Sequence, residues 1–218
     1  MPHEVRAPLK RRTPQQERSR DRVERILEAT ADLVVSHGVE AANTRAIAAA
    51  AGIPVASLYQ YFADKEQVLL ALVQRDLAQI DELMDERLAT LPVLSVRLIV
   101  ETTMRTHAEV YRRCPAFVVI WLRGRTNPRI NAFCREHNRR VASDLFKMAC
   151  RFDMVTDPDT GLYVELATEA ADRLFQVAFE DSFDGDCRVI EETIAFVTSY
   201  LEKHCTQAGL TGVPNQDV

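Results

Sequence analysis

Residues 44–62 read TRAIAAAAGIPVASLYQYF. Ile47, Ala51, Ile53, Leu58 and Phe62 recur at helical spacing on either side of a glycine, so the stretch predicts two short helices sharing an apolar underside. Where two helices cross steeply, the residue at the crossing must be small, and Ala48 meets that need. Gly52 then ends the first helix with a positive φ that other residues adopt at a cost. Pro54 is expected in the first turn of the second helix, where its missing N–H loses nothing. The outward face is then Val55, Ala56, Ser57, Tyr59, Gln60 and Tyr61. This is the pattern of a helix-turn-helix, an element that reads DNA. The plain alternative is an αα-hairpin inside an ordinary helical core. Against it stand Tyr59 and Tyr61, whose hydroxyls suit phosphate oxygens better than a packed interior, and Lys65, a cation beside the same surface.

Working outward, a polar arm with Pro8 and Pro14 runs to about residue 17. A first helix follows to near His37, with Ile26, Ala29, Leu33 and Val34 on one face and Gly38 as its stop. Asn43 is the expected N-cap of the next helix, and Asp64 plays the same part for a long fourth helix that ends before Pro92. Beyond it the pattern predicts helices over 93–113, 116–123, 128–152, 159–180 and 186–204, separated by turn clusters at Pro115, Gly124 to Pro128, Asp157 to Gly161 and Asp184 to Gly185. No alternating strand pattern is present. The fold class is all-α: a three-helix DNA-binding domain (18–66) after a flexible basic arm (1–17), joined by the long helix to an all-helical ligand-binding and dimerisation domain (67–204), with a flexible tail (205–218).

The run RILEATADLVVSHGVEAANTRAIAAAAGIPVASLYQYFADKEQVLLAL, residues 25–72, carries the landmarks IA, AG, LY, YF and KE in order. In this it resembles the DNA-binding domain of the tetracycline-repressor (TetR) family, over about a quarter of the chain. Ala42 and Asn43 stand where the family often has a Thr pair, and Val55-Ala56 where a basic or polar residue and glycine are frequent; both departures bear on the operator sequence. The resemblance implies a homodimer on a double-stranded DNA operator and a small-molecule effector bound in the helical body. It also implies that Thr44, Ser57, Tyr59, Tyr61 and Lys65 grip phosphates, while Arg45, Val55, Ala56 and Gln60 lie near base edges. Side-chain chemistry agrees: Arg45 can pair with guanine O6 and N7, Gln60 with adenine N6 and N7, and Val55 or Ala56 can pack on a thymine methyl. A phosphate contact is an equally good reading of Arg45.

With 218 residues the chain can bury a core and hold a small domain beside a larger one. The net charge of −5 divides into +2 over residues 1–65 and −7 over the remainder, so positive charge gathers where the DNA reader lies. Arg6, Lys10, Arg11, Arg12, Arg18, Arg20, Arg22 and Arg25 could follow phosphates or enter a minor groove, or form a solvated tail. No apolar run approaches a membrane span and no apolar signal core opens the chain, which reads as soluble and cytoplasmic with no membrane partner. Cys114, Cys134, Cys150, Cys187 and Cys205 are scattered and odd in number, as in a reducing compartment.

Candidate lining for a ligand cavity is Met104, His107, Tyr111, Trp121, Phe146 and Phe175, although any apolar stripe at helical spacing is first of all packing. The last two helices carry apolar residues on more than one face. Ala171, Leu174, Ala178, Ile190, Ile194, Val197 and Leu201 are the expected dimer contacts in a four-helix bundle, with a larger monomeric core as the alternative. Cys134 and His137 have half of a metal-site spacing without a second pair, so no metal and no cofactor is expected. There is no nucleophile elbow, phosphate loop or HExxH motif, and no catalytic residue is assigned. Glu165, Glu169 and Asp172 share one helical face that reads as paired or solvated. Three functional readings stand: a ligand-responsive regulator, most simply a repressor; a small-molecule-binding protein or enzyme with a vestigial helix-turn-helix; and a DNA-binding protein gated by a partner protein.

Overall fold

The computed structural model describes residues 14–124 and 127–215. The basic residues Arg6, Lys10, Arg11 and Arg12 of the expected arm lie outside them. Helix α1 spans Pro14–His37, beginning ahead of the expected residue 18 with proline in its first turn. It stops at Gly38, whose φ is 81°. A 3₁₀ turn at Val39–Ala41, which has no periodic signature, leads to α2, Thr44–Ala50. Asn43 caps α2 as expected, its Oδ1 accepting from the backbone N–H of Arg45 at 3.1 Å and Ala46 at 3.0 Å. The reversal at Gly52 has φ 65°. Ile53 N–H donates back to the Ala48 carbonyl at 3.0 Å, closing the end of α2.

Only Val55–Leu58 form the regular part of the second helix, α3, and Pro54 sits at its N-cap, not inside its first turn. Helical bonding nevertheless continues in tightened form, because Tyr61 and Phe62 both donate to the Leu58 carbonyl at 3.0 Å. Asp64 caps α4, Lys65–Ala89, by accepting from Gln67 N–H at 2.8 Å, while Gln67 Oε1 accepts from Ala63 N–H at 2.9 Å. Ala48, Ile47 and Leu58 are fully buried, and Phe62 nearly so. Those four hold the two helices of the reader against α1 and α4.

The body consists of α5 (Val96–Arg113), α6 (Pro115–Phe117), α7 (Pro128–Arg151), α8 (Thr160–Ala178) and α9 (Cys187–Glu202). Between α6 and α7 the chain forms a wide π turn, Val118–Arg123. Two short strands, β1 (Val93–Leu94) and β2 (Val213–Pro214), pair antiparallel around a last short helix, α10 (Gln207–Thr211). Of the stretch 205–218 expected as a flexible tail, residues up to 215 are therefore held in regular contacts, and 216–218 lie outside the described residues. Asn215 Nδ2 donates to the carbonyls of Leu88 at 3.0 Å and Leu91 at 3.1 Å, so the tail is tied to the end of α4 and the turn that follows it.

One apolar cluster runs without a break from Ile26, Ile47 and Leu58 in the head, through Leu72 and Leu77 of α4, to Tyr111, Phe117, Trp121 and Phe175 in the body. Helix α1 packs on α6 as well as on α4. Head and body are therefore joined by packing, and α4 is only the covalent part of the connection.

Candidate DNA-reading face and effector cavity

On the helix-turn-helix, Arg45, Ala56, Tyr59 and Gln60 are exposed. Thr44 and Ser57 are half-buried beside them. Val55 and Tyr61, expected to point outward, are partly buried and pack against the core cluster, because a helix of little more than one turn cannot turn every side chain away from its support. Thr44 Oγ1 and Tyr59 OH lie 3.3 Å apart and share a hydrogen bond, which ties the start of α2 to the end of α3. Lys65 Nζ meets Glu40 at 3.4 Å, but the Glu40 side chain is almost fully exposed. Such a pair is worth about 0–1 kcal/mol, too little to withhold Lys65 from a phosphate. Asp64 also accepts from Arg129 of α7 at 2.8 Å, a direct link between the head and the body. The Gln67 backbone N–H, and then Arg129, hold its carboxyl below the usual range.

Two partly open spaces of about 80 Å³ each lie within the body. One is lined by Leu77, Met104, His107, Tyr111, Trp121, His137, Asn138, Asp172 and Phe175, among others, and so collects five of the six expected residues. Phe146 is not among them. It lies one position, about 100° of helix rotation, beyond the lining residue Leu145, and instead faces Gly161 at the start of α8. The second space is bounded by Ile99, Val100, Met148, Met154, Val164, Ala167 and Val197, and sequence periodicity does not single it out. Thr103, Met104, Leu145 and Thr168 border both.

Most polar groups of the first chamber have partners among the described residues, the Thr103 hydroxyl excepted. Trp121 Nε1–H donates to Asp172 Oδ1 at 3.0 Å, and Asn138 Nδ2 donates to Glu169 Oε1 at 3.2 Å. Glu165 meets Arg139 at 3.7 Å, so the acidic face of α8 is a paired one. His107 Nδ1 lies 2.8 Å from the Thr103 carbonyl, which can only accept, so Nδ1 carries the proton. His137 Nδ1 lies 3.0 Å from an Arg140 N–H and therefore accepts. Burial pushes the pKa of His107 down, and burial, with Arg140 next, pushes that of His137 down to about 4. Both rings are neutral at pH 7.

Outside, α8 and α9 present a second apolar surface. Leu162, Leu166, Val177 and Phe196 are exposed, with Leu174 and Val189 half-exposed beside them. Of the expected dimer contacts, Ala171, Ala178, Ile190, Ile194 and Val197 are instead buried within their own subunit. The apolar pattern of α9 has two sides, and packing against α5 and α8 takes up the one that was assigned outward.

A short DNA-reading motif carried by a long helix, on a helical body with largely apolar chambers, defines the class of helix-turn-helix regulators. Residues 26–72 match the family model of the bacterial regulatory proteins, tetR family, and residues 94–205, about half of the chain, match the tetracyclin repressor-like C-terminal domain. The chain belongs to the TetR family of bacterial transcriptional regulators. It is 31% identical to a TetR-family transcriptional regulator from Streptomyces coelicolor of known structure, with 84% of this chain and 99% of that one covered and a TM-score of 0.69. It shares its fold with the fatty acid degradation regulator FadR from Bacillus halodurans, at 17% identity, 88% and 96% coverage and a TM-score of 0.64. The HTH-type transcriptional repressor KstR of Mycobacterium tuberculosis (strain ATCC 25618 / H37Rv) is 38% identical over 65 residues, 30% of this chain and 30% of KstR. Among the described residues, no helix is long and apolar enough to cross a membrane.

Proposed function

We propose that this protein is a cytoplasmic repressor that binds a palindromic operator as a homodimer and is released when a small, largely apolar molecule occupies the body. The observation that carries the reading is the placement of exposed Arg45, Tyr59 and Gln60 on a compact reader whose core is continuous with the chamber wall at Trp121 and Phe175. A twofold mate would seat on the outward stripe of Leu162, Leu166, Val177 and Phe196, leaving the two recognition helices about 34 Å apart, one turn of the duplex. Selection of bound duplexes from a random pool tests this. A recovered inverted repeat, bound with a steep salt dependence by a species that sediments as a dimer, is the expected result. Monomers at micromolar concentration with no enriched palindrome would overturn it.

A further inference from the structure

Resting on the regulator reading above, we infer that the effector is an elongated, uncharged amphipath: a hydrocarbon body in the chamber beside α9, and a hydroxyl-type head between His107 and His137. The first argument is shape. The two chambers meet at Thr103, Met104, Leu145 and Thr168, so one molecule reaching past this waist occupies both. The far chamber is walled mainly by aliphatic and thioether side chains, which recognise hydrocarbon by burial; among its polar lining, Thr168 donates to the Val164 carbonyl, while the buried Thr160 hydroxyl has no partner among the described residues.

The second argument is charge. Among the described residues, neither chamber is lined by lysine or arginine, and the one carboxylate in the lining, Asp172, already accepts from Trp121 and, at 3.4 Å, from Gln176. An anionic head would be desolvated beside a like charge with no cation in the described lining to meet it, Arg140 standing behind His137 on its Nδ1 side. A cationic head would have to compete for a carboxylate that is engaged.

The third argument is hydrogen-bond type. Since His107 spends its proton on the Thr103 carbonyl, its Nε2 is left as an acceptor; since His137 Nδ1 accepts from Arg140, its Nε2 is left as a donor. A hydroxyl both donates and accepts and can satisfy the two rings together, whereas a carboxylate only accepts and leaves His107 unmet. Burial keeps both rings neutral, so neither supplies a counter-charge. At the waist, Thr103 is more than nine-tenths buried and its hydroxyl has no hydrogen-bond partner among the described residues.

The 218-residue chain carries its own reporter, because its single tryptophan, Trp121, lines the head chamber. Titration at neutral pH with 1-decanol, decanoate and decyltrimethylammonium, followed by tryptophan fluorescence and by melting temperature, compares three heads on one chain. Decanol is expected to bind at least roughly tenfold more tightly than either ion, and roughly tenfold more tightly than 1-octanol, since each buried methylene adds about fourfold. Equal or tighter binding of either ion, loss of the chain-length dependence, or no binding by any probe would overturn the inference. Operator binding is measured on the same preparation: a recovered palindrome with the charge order reversed refutes the ligand class and leaves the regulator reading standing. Loss of the palindrome and of the dimer fails that reading whatever the probes do.

Discussion

Replacing Trp121 by phenylalanine separates a dry chamber from a wet one. The indole is 2% exposed, stacks on Phe117 with ring centres 5.3 Å apart, and meets His137 edge-on at 5.4 Å. Phenylalanine keeps the stack and removes two things. The first is the N–H bond to Asp172 at 3.0 Å; a hydrogen bond to a charged group is worth about 1.5–3 kcal/mol, and here Gln176 at 3.4 Å is a poor substitute. The second is the volume of the smaller ring, roughly 40 Å³, which at about 24 cal/mol per Å³ adds about 1 kcal/mol. The sum is a loss of roughly 2.5–4 kcal/mol, or about 5–15 °C in melting temperature for a chain of this size. Because the variant has no tryptophan, the assay is urea unfolding followed by far-ultraviolet circular dichroism, at one fixed protein concentration so that association does not enter. A loss below about 0.5 kcal/mol would refute the reasoning. Water would then already reach the carboxylate, and the hydrogen-bond argument for an uncharged head would fall with it.

Arg45→Ala and Gln60→Ala are expected to relax discrimination by about 1–3 kcal/mol at particular base pairs, whereas Tyr59→Phe and Lys65→Ala weaken every sequence alike; competition across a panel of operator variants distinguishes the two patterns. Gly52→Ala is expected to lose about 1–2 kcal/mol from its positive φ alone, since no atom lies within 4 Å of the added Cβ. Gly185→Ala should lose more by denaturant titration, because its Cβ would stand 2.8 Å from the buried ring of Phe179. Asp64→Ala should cost about 1 kcal/mol as a lost N-cap. The Asp64 carboxyl titrates lower when folded than when unfolded, so its contribution is fully present above the ordinary carboxylate range and is lost as pH falls through the lowered value. Acid unfolding curves of the variant should lack that component.

The features legible in the sequence were those decided within a few residues. Asn43 and Asp64 announce helix starts because a short acceptor side chain reaches backbone N–H groups two or three residues on, and Gly52 announces a turn because φ 65° suits little else. The reader's buried pair, Ala48 and Leu58, followed from the same local geometry. What stayed hidden depended on partners far along the chain. Val213 and Pro214 pair with Val93 and Leu94 over too short a span to show a period, and Asn215 finds its acceptors at Leu88 and Leu91 across more than a hundred residues. The side of α9 that faces outward was decided by α5 and α8, so Val197 is buried while Phe196, its neighbour, is exposed. In the cavity, aromatic residues were recognisable as lining, and His137 stood out only beside Cys134 as half of a metal-site spacing; Asn138 and Thr103 did not stand out, since each is an ordinary helix residue until the facing helices are set beside it.

Trp121 also shows why core and pocket are not opposed readings in this fold. It belongs to the π turn that continues directly from α6, and α6 is the element on which α1 of the reading head packs. Phe117, fully buried, stacks on Trp121 from one side and on Tyr111, 5.2 Å away, from the other, so the chamber wall and the support of the head are one aromatic stack. A molecule in the chamber shifts the protein between two states only by favouring one of them. Close-packed interiors do not absorb displacement gradually, so under the proposed gating a wall rearranged at Trp121 must be matched at Phe117 and hence beneath α1. The Asp64–Arg129 pair links the same two parts on another face, at the junction of α3 and α4, but at half-exposed surface it contributes little energy. Under the proposed gating, the coupling between chamber and reader would therefore rest on the buried stack, with the long helix α4 packed in the same core and not a solitary lever.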